Sequence, residues 1–589
     1  MSENGAEPHT EKGVTPILED SVSSIHTWAS HTMAHAVITM LSIVVMIIAM
    51  SWCHNQEGYH DLTSGQVLVG LVTAFFGLWW IYVHALAVWE YLAGGGETTF
   101  TLALRNTLHT FVSRDDDSIA AFTATSEFFS ILLLFYICDR TPVLGRAKKH
   151  YNADTFWFLW LVLMVVALWT LKKAAKKSAL PSPGQTPVPA TAAPVGLLGE
   201  YFHMPLLQRD QTEEWKGWMQ VMFVLYHYFH AVNLYNVIRL YIAAYVWMTG
   251  FGNFSYYYMR RDFSAMRFGQ MMWRLNFFVL WVCLVLDNEY MLYYICMLHT
   301  TFTVMIYAGL GIYSHINPSF SGICLKFCVL IAITAAIWDT PRAVFDTVWF
   351  PWRPLVAFHD PYKPSRDPMH EWFFRSKLDH LIWIFGMLCA YNHPRADAFL
   401  ERLDAMPPAR QYSIKWFIVA VTLAVSYVWY ENVFTLNKFD YNALHPFTSW
   451  IPIAAYIVLR NIFAWTRVYH MHLFEWLGKI TLETYIAQFH IWMATTGPNG
   501  SPKLLLRVFP ESWPLMNFAF FSIIYTYVSL RIFHSSNTMK SWCLPSKDPN
   551  GRVRFLAKVF PVAFAVLYLA AEILKRLVHS QLGWMPRQA

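Results

Sequence analysis

At 589 residues, 56% hydrophobic and only 14% charged, with a mean hydropathy of +0.32, the chain carries more apolar surface than a soluble domain of this size keeps from water. The formal net charge of +6 is spread over loops between apolar runs, which argues against a nucleic-acid partner and for a multi-pass membrane protein. Because irregular backbone cannot face lipid, the expected fold class is an all-α polytopic membrane protein.

In chain order, the first thirty residues are polar and acidic (Glu3, Glu7, Glu11, Glu19, Asp20) and the first apolar run, 33–53, is of spanning length. A cleavable secretory leader is therefore not expected, and this run reads as a retained anchor. Within it HTMAH, with His31 and His35, has metal-ligand spacing on a helix but neither the intervening glutamate of a zinc hydrolase nor a third ligand nearby; no metal is expected. Runs at 67–92, 119–138 and 155–171 complete an N-terminal membrane region, 1–171, of about four helices. Lys172, Lys173, Lys176 and Lys177 then lead into SALPSPGQTPVPATAAPVG, so 172–212 reads as a flexible linker, cytosolic by its lysines. The loop 139–154, carrying Arg140, Arg146, Lys148 and Lys149, runs against that charge rule.

A ten-helix core is expected over 213–535, from runs near 218–234, 237–256, 269–287, 290–313, 321–338, 413–432, 446–464, 478–495 and 514–532 and a weaker one near 379–393. A basic loop and one last run, 556–575, fill 536–589, for about thirteen to fifteen transmembrane helices in all. The eight cysteines show no CxxC pairing and mostly sit in apolar runs, where cysteine behaves as a small hydrophobe.

His227 stands out. It lies in WKGWMQVMFVLYHYF, about three helical turns beyond Glu213, Glu214 and Lys216. Ionisable groups in hydrocarbon are costly and usually face a cavity or a partner, so this imidazole marks a pathway or a reaction centre. Further on, Gly250 and Gly252 precede Arg260, Arg261, Arg267 and Arg274, a set that suits an anionic ligand through bidentate guanidinium bonds; Arg260 and Arg261 fit an ordinary basic flank equally well. In FEWLGKITLETYIAQFHIW, Glu483 and His490 stand two turns apart, on roughly one inward face, and His490 equally suits an interfacial position beside the next loop. His299 is buried in its run, where packing is the commoner use of a lone histidine. The pair His470 and His472 is a weak metal signal. Asp367 to His370 has the acid and histidine of a serine esterase, but no GDS nucleophile block accompanies them. The sequon at Asn253 abuts apolar residues, and that at Asn499 lies in a loop.

Lys216-Gly217 followed by VMFVLYH at His227, then TGFGNF, then LGKITLETYIAQFH, resembles the acyltransferase-3 family, in which a basic residue stands eleven positions before the histidine; lysine here replaces the usual arginine. The chain is more closely similar to the plant reduced wall acetylation proteins, within the transmembrane family of the sialate and fungal capsule O-acetyltransferases. The blocks FYICDRTPV, QTEEWKGWMQVMFVLYHYF, YIAAYVWMTGFGNFSYYYMRRDFS, MMWRLNFFV, EYMLYYICMLHTTF and EWFFRSKLDHLIWIFGM carry that likeness from about residue 120 onward. It implies a Golgi membrane O-acetyltransferase that draws on cytosolic acetyl-CoA for cell-wall polysaccharides. On that reading Lys216, Arg260, Arg267 and Arg274 receive the donor, and His227 acts as general base or acetyl carrier. Glu483, His490 and His299 are further catalytic candidates, while Tyr226, His230, Asn233, Asn253 and Glu289 line the path. The implied partners are a polysaccharide or an intermediate acetyl acceptor, membrane lipids, and a lumenal polysaccharide O-acetyltransferase. Two other readings stay open: a transporter that moves an acetyl donor intact, and a membrane scaffold for a separate transferase.

Overall fold

The computed structural model describes residues 63–92, 116–173, 205–495, 497–546 and 551–582. The apolar run at 33–53, the HTMAH histidines and linker positions 174–204 lie outside the described residues. The chain opens with α1 (Ser64–Leu92), α2 (Asp116–Arg140), β1 (Gly145–Lys148), α3 (Ala153–Trp169) and β2 (Leu171–Lys173). Next come α4 (Arg209–Phe229), α5 (Tyr235–Arg260), α6 (Ala265–Leu286), α7 (Tyr294–Gly311), α8 (Phe320–Trp338), α9 (Arg342–Trp349), α10 (His370–Leu378), α11 (Ile382–Asp404) and α12 (Pro408–Trp429). After them stand α13 (Lys438–Thr448), α14 (Trp450–Asn461), β3 (Tyr469–Met471), α15 (His472–Lys479) and α16 (Thr481–Ala487). A π turn, Gln488–Trp492, leads to β4 (Met493–Ala494), β5 (Leu504–Arg507), α17 (Pro514–Cys543) and α18 (Arg552–Leu582). Among the described residues eight helices are long and apolar enough to cross a membrane, so the chain is an all-α polytopic membrane protein.

Several boundaries differ from the sequence expectation. Lys172 and Lys173 belong to β2, which pairs antiparallel with β3, and Arg209–Thr212 already form the first turn of α4; the expected linker 172–212 loses both ends to regular structure. The run at 446–464 is split at Ser449 into α13 and α14, each carrying a proline, at Pro446 and Pro452. The run at 478–495 is not one span but α15, α16 and the π turn in sequence. Compact packing divides the chain into Met1–Ile137 with His534–Cys543 and Gly551–Ala589, and Cys138–Phe533 with Leu544–Asn550. Thus α3 falls in the second unit and α18 in the first.

Inside the second unit two helix crossings are set by glycine. A Cβ on Gly217 would stand 1.9 Å from the Phe474 carbonyl oxygen, and one on Gly478 would stand 1.8 Å from that of Glu213, so the backbones of α4 and α15 touch. The same reciprocal contact joins α5 to α11, through Gly250 against Trp383 and Gly386 against Trp247. Small residues at helix interfaces in membranes permit this close approach. Gly250 therefore serves helix packing rather than a ligand. A three-stranded antiparallel sheet in the order β1, β5, β4 ties the segment after α2 to the segment after the π turn, with Gly145 opposite Arg507 and Met493 opposite Leu505.

Candidate active site

Helix α4 presents Lys216, Gln220 and His227 at steps of four and seven residues, one face of a helix. Lys216 and His227 are thereby separated by about 16 Å along the axis. Glu213 pairs with Lys216 at 2.6 Å, and Gln220 Nε2 is buried without a hydrogen-bond partner among the described residues. A buried donor left open usually belongs to a site that something else completes. Around His227 the walls are aromatic: Phe223 meets the imidazole edge to face at 4.4 Å, and Tyr226 and Phe489 lie at 5.2 and 5.7 Å.

The hydrogen bonds fix the state of this ring. Gln488 Nε2 donates to the Tyr485 carbonyl at 2.9 Å, an acceptor only, so the amide oxygen faces His227. That oxygen lies 3.2 Å from His227 Nδ1, which must then carry the proton. Nε2 is left with its lone pair and no partner among the described residues, as a base or nucleophile requires. Lys149, just past β1, donates to the His227 carbonyl at 2.8 Å and to Met493 Sδ at 2.9 Å. Burial pushes its ammonium down to about 7.

The second imidazole of the π turn is bonded differently. His490 Nδ1 meets Asp139 Oδ2 at 2.9 Å, and its Nε2 meets the Tyr293 hydroxyl at 2.6 Å. Asp139 accepts only, so Nδ1 is the donor and Nε2 accepts from Tyr293, which in turn receives Asn288 Nδ2 at 3.1 Å. Thr495 donates to the same carboxylate from its backbone N–H at 2.6 Å, and Arg140 Nη1 lies 3.3 Å away. His490 is therefore a saturated member of a buried chain, whereas His227 is open. Asp139 and Gln488 did not register in the sequence as site residues. The available signal was the acid closing an apolar run in FYICDR, and an amide two residues before a histidine.

The remaining candidates separate into distinct places. Arg274 forms a two-pronged bridge to Glu483, through Nη1 to Oε1 and through Nη2 to Oε2 at 3.0 Å, so this cation and this carboxylate are each other's partners. Arg267 lies over the Tyr256 ring at 4.3 Å, and Arg260 is exposed at the end of α5. His299 and Asn253 join α7 to α5 as two rungs, His299 to Thr249 at 2.5 Å and Asn253 to Thr303 at 3.1 Å, so they staple helices and are not gathered around His227. His230 caps α4 in the left-handed region (φ 55°) and is exposed, as is Asn233. Glu289 clasps His359 through ring and backbone at 2.6 and 2.7 Å, away from the imidazole expected to need it. Asp367 pairs with Arg342, not with His370. A buried triad that no local spacing announces lies elsewhere in the bundle, where Arg239 and His445 share Asp379, at 2.8 and 3.4 Å.

Membrane helices packed around an imidazole with an open nitrogen define the class as a polytopic membrane protein with a candidate acid–base or nucleophilic centre inside the bundle. The chain belongs to the family of the 10 TM acyl transferase domain found in Cas1p, which matches residues 50–186 and 197–555. It is 27% identical over 436 residues, 71% of this chain, to the N-acetylneuraminate (7)9-O-acetyltransferase of Danio rerio, and it spans 50% of that relative's length. No solved structure matches.

Proposed function

We propose that this chain is a membrane O-acetyltransferase of the plant reduced wall acetylation type, which takes acetyl from cytosolic acetyl-CoA and delivers it to cell-wall polysaccharide, or to an intermediate acceptor, in the Golgi lumen. The observation that carries the reading is His227 Nε2, left unprotonated by the Gln488 bond to Nδ1 and without a partner among the described residues. Family membership and the likeness to a sialate O-acetyltransferase support acyl transfer as the chemistry. The donor enters at the Lys216 end, and the helical distance from there to His227 suits an extended pantetheine arm. His227 either takes the proton of the attacking hydroxyl, or attacks the thioester itself, expels the CoA thiolate and passes the acetyl to the hydroxyl. Gln488 positions the ring; the His490 chain stiffens the turn that carries Gln488.

His227→Ala in purified, monodisperse protein is expected to lower acetyl transfer from acetyl-CoA by about 10²-fold or more. Transfer within a factor of two or so of the wild type would remove the imidazole from the reaction.

A further inference from the structure

His470 in β3, His472 at the start of α15 and Glu475 one turn later each offer a ligand atom, and these atoms all lie within 4.8 Å of one another. Both rings converge on one carboxylate oxygen: Glu475 Oε2 is 2.7 Å from His472 Nδ1 and 3.3 Å from His470 Nε2. Lys479 Nζ takes the other oxygen, Oε1, at 2.5 Å. His470 is 5% exposed, and its Nδ1 finds no hydrogen-bond partner among the described residues, so the bond to Glu475 leaves this ring incompletely accounted for.

Two imidazoles and a carboxylate are the borderline-hard donor set that first-row divalent ions of the zinc kind prefer. With metal–ligand lengths of about 2.0–2.2 Å, tetrahedral ligand atoms stand roughly 3.3 Å apart. The His470 separation already has that value, and the His472 ring needs a small outward movement, for which it is placed at the partly exposed side. The frame is rigid. Lys172 of β2 pairs with His470, the His472 N–H donates to the Thr170 carbonyl at 3.1 Å, and the Met471 N–H donates to Glu214 at 3.0 Å. Lys479 on the far carboxylate oxygen orients the ligand in the way outer-shell donors do, and its charge moderates the affinity.

We propose that His470, His472 and Glu475 form a binding site for a divalent transition metal of the zinc type, with a remaining coordination position toward water beside His472. Bound there, the ion clasps β3 and the first turn of α15 at the strand whose Met471 N–H is anchored to Glu214 of α4. The sequence pair HxH carried little weight alone; the third ligand follows from the helical step of three to Glu475.

The test is direct metal binding by the full-length protein in detergent micelles, stripped with chelator and dialysed against dilute zinc chloride. About one equivalent is expected in the wild type, and affinity about tenfold or more weaker in His472→Ala and in Glu475→Gln, with size-exclusion profiles confirming folded protein. Cobalt(II) gives a second readout, its visible absorption bands appearing in the wild type and not in the variants. Less than half an equivalent in the wild type, or the same affinity and spectrum in both folded variants, overturns the site.

Discussion

His227 was legible from residue chemistry alone, because an imidazole deep in an apolar run demands a reason. Its state was not, since the amide that fixes the tautomer lies 261 residues away, and the acid that saturates His490 lies 351 residues from it. Such pairings are tertiary and leave no trace in local spacing. They separate two histidines that both sit in apolar runs. If Gln488 sets the tautomer, Gln488→Leu should lower kcat by roughly ten- to a hundredfold with little change in KM for the acetyl donor, and Gln488→Glu, which keeps an acceptor at Nδ1, should recover part of it. Equal losses in both variants would make Gln488 a packing residue. Lys149 gives a pH signature. Its native ammonium titrates near 7 against an ordinary 10.5, so the native state binds fewer protons than the unfolded chain between those values. The destabilisation is full below about pH 7 and is relieved as pH rises toward 10.5. Thermal unfolding of detergent-solubilised protein between pH 7 and 9 should show the wild type gaining stability relative to Lys149→Met; parallel profiles would show that Lys149 is not the titrating group.

At the scale of elements, most helices were visible as apolar runs, yet the breaks within them were not. Hydropathy continues through 478–495, but the backbone widens into a π turn at Gln488–Trp492, a local form that clusters at functional sites. Likewise the glycines of WKG and LGK stood out as a pattern while their purpose stayed hidden, because it is mutual: each fits against the carbonyl beside the other. Gly217→Val should cost about 3 kcal/mol or more, since the obstructing atom is backbone and cannot rotate aside. Gly252→Ala, with nothing within 4 Å of its Cβ position, is the control and should hold thermal stability or raise it by up to about 1 kcal/mol, the gain in helix propensity. Comparable melting temperatures for the two variants would show that the α4–α15 crossing yields easily. The arginines teach the converse lesson. Arg274 was read as a donor contact from its depth in an apolar run, and the same depth brings it to Glu483, because a buried charge without a partner is unstable.

For the whole molecule, the fold class was the most legible property, since a bilayer admits few backbone solutions and composition alone selects helices. How the helices group was less so: the second unit begins at Cys138, in the last turn of α2, so that a single continuous helix belongs almost wholly to one unit and ends in the other. Acyl transfer and donor transport make opposite demands on the whole chain. With protein reconstituted in sealed vesicles and acetyl-CoA labelled on both halves, the acetyl label should reach an enclosed acceptor while the CoA label stays outside. Intact donor inside would favour the transporter. The touching backbones of α4 and α15 bear on how any such passage opens. Two helices seated that tightly tilt together where they cross, which is at the Lys216 end of α4. On the proposed acyl-transfer reading, any opening for the donor then falls to neighbours that yield around this fixed crossing.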